Sequence, residues 1–317
     1  MNKFIRQLLP FGTLVLILAI LSALRPNTFL TAENFLNVLS RSSVNGIIAM
    51  GMTAVIISGG IDLSVGSMMA LCGMVGGFAI LRTGGGAPDV QAMWIGTLVG
   101  LGTGLLCGLL NGGLITLLNL PPFIVTLGTM SAFRGISYVM NNGMMYDVPA
   151  YKFLGQSSYL GVPVNVLIFA LIALLAFFLL RYTPLGRYTY AIGSNRQAAF
   201  HAGVNVNRNL IAIYAVTGLF VGIAAMIQTS RTVSAQPTAG LSLELDIIAA
   251  VVIGGASLSG GRGTVVGTIV GTLLISFLRN GCTLLGISTN IQLVVIGAII
   301  IGAVALDQMA RAKAETA

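Results

Sequence analysis

The sequence predicts an all-α, polytopic membrane protein with about ten transmembrane helices arranged as two repeated halves. Three observations carry that expectation. Only 8% of the 317 residues are charged and 56% are hydrophobic, far from the roughly 25% charged share of soluble domains. Apolar segments of about 17–25 residues, the length that crosses a bilayer core, recur along the whole chain. The third observation is an internal echo. Gly59-Gly60-Ile61-Asp62-Leu63-Ser64-Val65-Gly66 returns 195 positions later as Gly254-Gly255-Ala256-Ser257-Leu258-Ser259-Gly260-Gly261, and Gly76 meets Gly271 at the same spacing. Asn111-Gly112 and Asn280-Gly281, Val125 and Val294, and Gly128 and Gly297 match at a second spacing of 169, so the first half carries an extra stretch around Arg82–Gln91.

In chain order the expected spans fall near 8–24, 42–58, 64–81, 92–118, 122–140, 165–181, 209–228, 245–258, 263–279 and 290–306. The segment 245–258 is short, so it is expected to be tilted or only partly inserted. Lys3 and Arg6 before the first apolar run imitate a secretory signal, but Arg25-Pro26 follows directly and no small-residue cleavage site closes the run. It is expected to stay as the first span. With the N-terminus inside, Lys3, Arg6, Arg181, Arg187, Arg196, Arg208, Arg262, Arg311 and Lys313 stand on the cytoplasmic side, a majority of the sixteen basic residues. Glu33, Asp89, Asp147, Glu244 and Asp246 then fall outside. The whole chain, 1–317, reads as one transmembrane domain.

A basic interval, at about 182–208, is expected to be a cytoplasmic loop: Arg181, Arg187, Arg196, His201 and Arg208 lie in or beside it, with no acid from Val148 to Leu243. Within it, Gly193 to Gly203 reads as a short helix, with Ser194 and Gln197 at capping-box spacing and Gly203 as the stop. Ala198, Ala199, Ala202 and Gly203 leave one side nearly bare of side chains. That is the shape of a docking element.

Several functions are excluded. The net charge of +8 is spread over loop ends rather than gathered on one face with aromatics, so no nucleic acid is expected. Cys72, Cys107 and Cys282 are odd in number and lie in apolar stretches, and His201 is the single histidine, so no disulfide framework, metal centre, cofactor or catalytic residue is expected. The three lysines, Lys3, Lys152 and Lys313, follow no phosphate loop, and no buried acid–histidine relay is present. Energy for uphill transport must therefore come from a partner.

Asp62 is expected to cap a helix beginning near Ser64, because its counterpart in the echo is Ser257, before a helix beginning near Ser259. Glycines at 59, 60, 66, 73, 76 and 77, and again at 254, 255, 260, 261, 263, 267 and 271, allow close helix packing and breaks beside a pathway. A neutral, hydroxyl-rich solute needs neutral donors and acceptors along its route, as Asn45, Asn111, Thr126, Asn290 and Gln292 supply. The pathway candidates are Asn45, Asp62, Ser64, Thr126 and Asn290. Arg134, about 18 Å of helix beyond Pro122, is expected to snorkel to the outer interface.

Nearly the whole chain resembles the membrane permease of bacterial ATP-binding-cassette monosaccharide importers, of the ribose-type family. The likeness rests on Gly51-Met52-Thr53, Gly60-Ile61-Asp62-Leu63-Ser64-Val65-Gly66-Ser67, Arg134-Gly135, Thr183-Pro184-Leu185-Gly186-Arg187-Tyr188 and Gly203-Val204-Asn205-Val206-Asn207. Ser234-Ala235-Gln236-Pro237-Thr238-Ala239-Gly240 and the run from Glu244 to Gly255 extend it. The resemblance implies a permease subunit in the bacterial inner membrane that translocates a monosaccharide, ribose or a related sugar. Its implied partners are a cytoplasmic ATPase with two cassettes, where ATP hydrolysis takes place, a periplasmic sugar-binding protein, and a second permease copy in a homodimer or permease pair. The family's loop motif places Ala198, Ala199 and Gly203 in the ATPase-contacting helix, within a docking set of Gly193, Asn195, Gln197, Ala198, Ala199 and Gly203. Many relatives have Glu immediately before the two alanines; Gln197 stands there in this chain and removes one charge from that interface. The alternative reading, a sugar facilitator or secondary transporter without an ATPase, requires uptake by this chain alone.

Overall fold

Backbone N–H and C=O groups in lipid have no water to bond, so long apolar segments satisfy them internally as helices. The computed structural model describes residues 3–84 and 89–315. Its helices are α1 (Lys3–Leu24), α2 (Pro26–Phe29), α3 (Ala32–Ile57), α4 (Val65–Gly84), α5 (Val90–Leu117), α6 (Pro122–Val139), α7 (Phe153–Gln156), α8 (Val164–Tyr182), α9 (Pro184–Ser194), α10 (Arg196–His201), α11 (Val206–Thr232), α12 (Leu243–Ile253), α13 (Val265–Leu284) and α14 (Thr289–Glu315). Among the described residues strands are confined to two antiparallel two-residue ribbons: β1 (Tyr146–Asp147) pairs with β4 (Ser234–Ala235), and β2 (Ser158–Tyr159) with β3 (Val162–Pro163). Among the described residues six helices, α3, α4, α5, α8, α11 and α13, are long and apolar enough to cross a membrane, so the chain is an all-α polytopic membrane protein. Of the extra stretch expected around 82–91, positions 85–88 lie outside the described residues.

The helices divide into a centre and a periphery. The apolar windows of α3 and α11 are 78% and 72% buried, whereas those of α5 and α8 are 33% buried and carry the exposed leucines and phenylalanines of a lipid-facing surface. α5 meets α11 along a ridge of glycines at every fourth position, Gly100, Gly104, Gly108 and Gly112, and the same ridge continues to Gly96, which faces α4. A Cβ on Gly104 would strike the Gly218 carbonyl and lie 2.9 Å from the Gly222 nitrogen, and one on Gly112 would lie 2.8 Å from the Ile211 Cα. The two backbones thus touch directly, which is how helices associate where burial from water supplies no drive.

The echoed turns have the same backbone closure, in a register that differs from the one expected. After α3, Gly59 N–H donates to Ile56 and Gly60 N–H to Val55, both at 3.0 Å; after α12, Gly255 donates to Val252 at 2.9 Å and Ala256 to Val251 at 3.1 Å. The left-handed residues are Gly59, φ +82°, and Gly255, φ +93°. Ser58–Gly60 therefore corresponds to Gly254–Ala256, one position later than the matched glycines suggest. Beyond the closures the turns diverge. α4 begins at Val65, but α13 begins only at Val265, where the Thr264 hydroxyl accepts from Gly267 N–H at 3.0 Å. Ser257 is not the counterpart of Asp62 and precedes no helix; its carbonyl takes Gly260 N–H at 2.9 Å inside a longer turn.

α12 stands where a short span was expected, and its 11 residues give about 16 Å of helix, half of the roughly 30 Å hydrocarbon core, so it is not among the six helices long enough to cross.

Candidate functional site

The basic interval is two helices rather than a loop. Thr183 is extended, Pro184 takes the first helical position where no N–H is needed, and α9 turns Gly186, Thr189 and Ile192 inward. The Tyr190 hydroxyl donates to the Gly263 carbonyl at 2.8 Å, and Asn209 at the start of α11 donates to the Thr189 hydroxyl at 3.3 Å. Burial holds the Tyr190 phenol above its ordinary pKa, the Arg181 charge opposing this, so the group stays a donor. Gly193 is seated on the end of α3: a Cβ there would strike the Ile57 carbonyl and lie 2.6 Å from Gly261 N. Gly261 N–H itself donates to Ile57 at 2.8 Å. The two echoed turns and the end of α9 therefore form one junction.

α10 follows after a single extended residue. Asn195, φ −160°, caps it, its side chain accepting from Ala198 N–H at 2.9 Å. Ser194 does not cap, because α9 runs through it and leaves Asn195 as the first residue with the extended backbone that a cap requires. Gln197 is exposed. The far end closes as expected: Gly203, φ +83°, donates to Phe200 at 3.0 Å and Val204 donates to Ala199 at 3.1 Å. The bare face is narrower than expected. Ala198, Ala202 and Gly203 are exposed, but Ala199 is buried against its own chain at 5% exposure, since a six-residue helix on a packed base must turn one position inward. Phe200 projects at 66% exposure beside an open groove of about 420 Å³ formed with Val204, Asn205 and Asn207. Phe200 was not singled out from the sequence, although a lone aromatic among alanines is visible there.

The pathway candidates separate. Asp62, Ser64 and Thr126 come together: Asp62 accepts from Ser64 N–H at 2.8 Å and from its hydroxyl at 2.6 Å, and the Thr126 hydroxyl donates to the Ile61 carbonyl at 3.2 Å. Asn111 joins them from α5, donating to the Ser64 hydroxyl at 2.8 Å. All four are fully buried, so they brace the break between α3 and α4 and line no open passage. Asn45 is half-buried on α3, and Asn290 is exposed at the start of α14. A separate polar cavity of about 40 Å³ lies between α4 and α11, with Gln228, Thr229, Thr232 and Gln236 among its walls. The sequence reading missed these residues; polar side chains at 228, 229 and 232 on one helix face are the signal. Arg134 does not snorkel outward. It donates to the carbonyls of Pro237 and Ala239 at 2.6 and 2.8 Å, because the irregular segment after β4 has carbonyls that need donors.

Six helices long and apolar enough to cross a membrane, with two short helices packed on the break between α3 and α4, are the geometry of a polytopic membrane protein among the described residues. The chain belongs to the family described as the permease component of the branched-chain amino acid transport system, whose model matches residues 34–304. Similar proteins include the ribose import permease of Bacillus subtilis strain 168, 44% identical over 96% of this chain and 93% of the relative. The ribose import permease of Escherichia coli K12 is 41% identical, covering 93% of this chain and 91% of the relative. The D-allose transport system permease of the same strain is 39% identical over 94% and 90%. No solved structure matches.

Proposed function

We propose that this chain is the membrane-spanning permease subunit of an ATP-binding-cassette importer that carries a monosaccharide, ribose or a related sugar, across the bacterial inner membrane. The observation that supports this best is the 44% identity with a ribose import permease across 96% of the chain. In this reading α9 and α10 face the cytoplasm and form the docking element of a single permease domain, with Asn195, Gln197, Ala198 and Gly203 toward the ATPase and Gly193 and Ala199 holding the element to its base. The remaining apolar helices raise the crossings from six to about ten, and the matching closures at Gly59 and Gly255 support two halves built on one plan. A second permease copy completes the pathway, and a periplasmic binding protein delivers the sugar.

Alternating access then has a physical route. ATP turnover moves α10, α9 moves with it, and the hydrogen bond from Tyr190 together with the Gly193 seat transmits the displacement to the turns that start α4 and α13. The test is accumulation in sealed vesicles. The lone chain should not concentrate sugar under a proton or sodium gradient, and adding the ATPase inside and loaded binding protein outside should restore accumulation. Gradient-driven accumulation by the lone chain would instead establish a secondary transporter.

A further inference from the structure

The cavity of about 40 Å³ between α4 and α11 has polar walls without charge: Gln228 and Thr229 line it from α11 and Gln236 from the chain beyond β4, and among the described residues no acid or base lines it. Gln228 lies about 33 Å along α11 from its start at Val206, toward the outer face in the proposed orientation. Two of these groups are unspent. Threonine hydroxyls inside helices ordinarily return to the carbonyl four residues back, as those of Thr53, Thr97, Thr116, Thr217 and Thr232 do at 2.7–2.9 Å. Thr229 does not: it is 4% exposed, and among the described residues its hydroxyl has no hydrogen-bond partner. The half-buried Gln228 amide has none either. Opposite them stands Gly73, where a Cβ would lie 3.0 Å from the Thr229 hydroxyl, so the room exists because α4 has no side chain there. Polar groups left unpaired in a buried site are unfavourable until something they can bond enters.

The remaining wall is irregular backbone at membrane depth. After β4 the chain descends along α4, from Ala235, whose Cβ would lie 2.7 Å from a Cβ on Gly77, to Gly240, whose carbonyl a Cβ on Gly66 would strike. From Gly66 to Gly77 α4 rises about 16 Å, so the descent crosses much of the bundle. Gly240, at φ +67°, and Ser242, at φ +60°, keep this segment out of any helix. Backbone of this kind persists in a membrane only where it is buried in protein or borders a watery space, and discontinuous segments of transporters gather around the solute they carry. Here Arg134 holds the Pro237 and Ala239 carbonyls from one side, and the polar cavity lies on the other.

We propose that Gln228 and Thr229, faced by Gln236, are a sugar-contact site of the permease, collapsed in this structure. The inference rests on the importer reading and names where in the chain the sugar is held. A neutral, hydroxyl-rich solute needs groups that both donate and accept, without fixed charge, and two amides and a hydroxyl supply them. Met69 and Ala225 in the same wall offer apolar atoms to its C–H faces. A cation would need a carboxylate there and an anion a basic group. The present volume holds about three waters and no whole sugar, so the sugar enters when the segment from Gln236 to Gly240 draws back. The grip of Arg134 on that segment is what must yield.

The experiment uses the complete permease–ATPase complex in sealed vesicles, with ATP inside and loaded binding protein outside. It reads D-ribose or D-allose moved per ATP hydrolysed, and the melting temperature of each variant. Gln228→Leu combined with Thr229→Val should lower the transport ratio about tenfold or more, because two hydrogen bonds to the sugar are lost. Thr229→Ser keeps a hydroxyl and should retain most of the ratio. Thr229→Val alone should melt no lower than wild type, since it removes an unsatisfied hydroxyl from the fold. A wild-type ratio in the double variant overturns the proposal. So does a lower melting temperature of Thr229→Val, which assigns the hydroxyl to the fold, and so does an equal loss of ratio in Thr229→Val and Thr229→Ser. Wild-type vesicles that accumulate neither sugar sink the importer reading instead.

Discussion

The Tyr190 hydroxyl donates to the Gly263 carbonyl at 2.8 Å, a side-chain hydrogen bond that ties α9 to the turn before α13. Gly193, three residues on, presses against Ile57 on the other echoed turn. One short helix thus holds both turns, and a displacement of its base cannot be absorbed by a flexible loop.

Tyr190→Phe keeps the ring and removes the donor. A loss of about 0.5–1.5 kcal/mol is expected, too little to unfold the chain but enough to loosen the junction. Sugar moved per ATP hydrolysed should fall while the ATPase still co-purifies. An unchanged transport-to-hydrolysis ratio would show that the bond carries no motion.

Ala198 and Ala199 are neighbours with opposite surroundings, exposed and buried. Ala198→Glu should abolish ATPase association in a permease that still folds. Ala199→Glu places a charge inside the permease's own packing and should lower thermal stability and yield. Thermal melting and co-purification of the two variants separate these effects. Similar melting temperatures for both would contradict the inward turn of Ala199.

The all-α membrane character and six of the about ten expected spans were legible in the sequence because hydropathy reports what lipid demands of the backbone. The short helix α10 was legible from its Gly203 stop, though its cap was misplaced by one position, since Ser194 and Asn195 have equally suitable side chains and only the backbone of α9 decides between them. The echo was matched on glycine identity, whereas closure depends on which glycine adopts positive φ. The grip of Arg134 on the Pro237 and Ala239 carbonyls joins positions far apart in the chain that no local pattern signals.

Asp62 holds two donors of Ser64. Asp62→Asn keeps an oxygen for them and should preserve most transport. Asp62→Leu strands the buried Ser64 N–H and hydroxyl, each unsatisfied group costing about 1–3 kcal/mol. The measurements are uptake and melting temperature; inactivity of a well-folded Asp62→Asn protein would mean that the charge itself is needed.

The Gly104–Gly218 contact yields the sharpest structural prediction. A Cβ on Gly104 strikes the Gly218 carbonyl, and one on Gly218 strikes the Gly104 carbonyl, so neither helix can yield without moving its own backbone. Gly104→Val should therefore part α5 from α11 at the centre of the bundle, lowering melting temperature and folded yield in detergent. Gly102, on the same helix but with open space at its Cβ, is the control. Gly102→Val should be tolerated, because a larger apolar side chain facing lipid meets nothing. If both substitutions destabilise equally, the penalty belongs to valine in the helix and not to the contact; if neither does, α5 and α11 are not packed backbone to backbone.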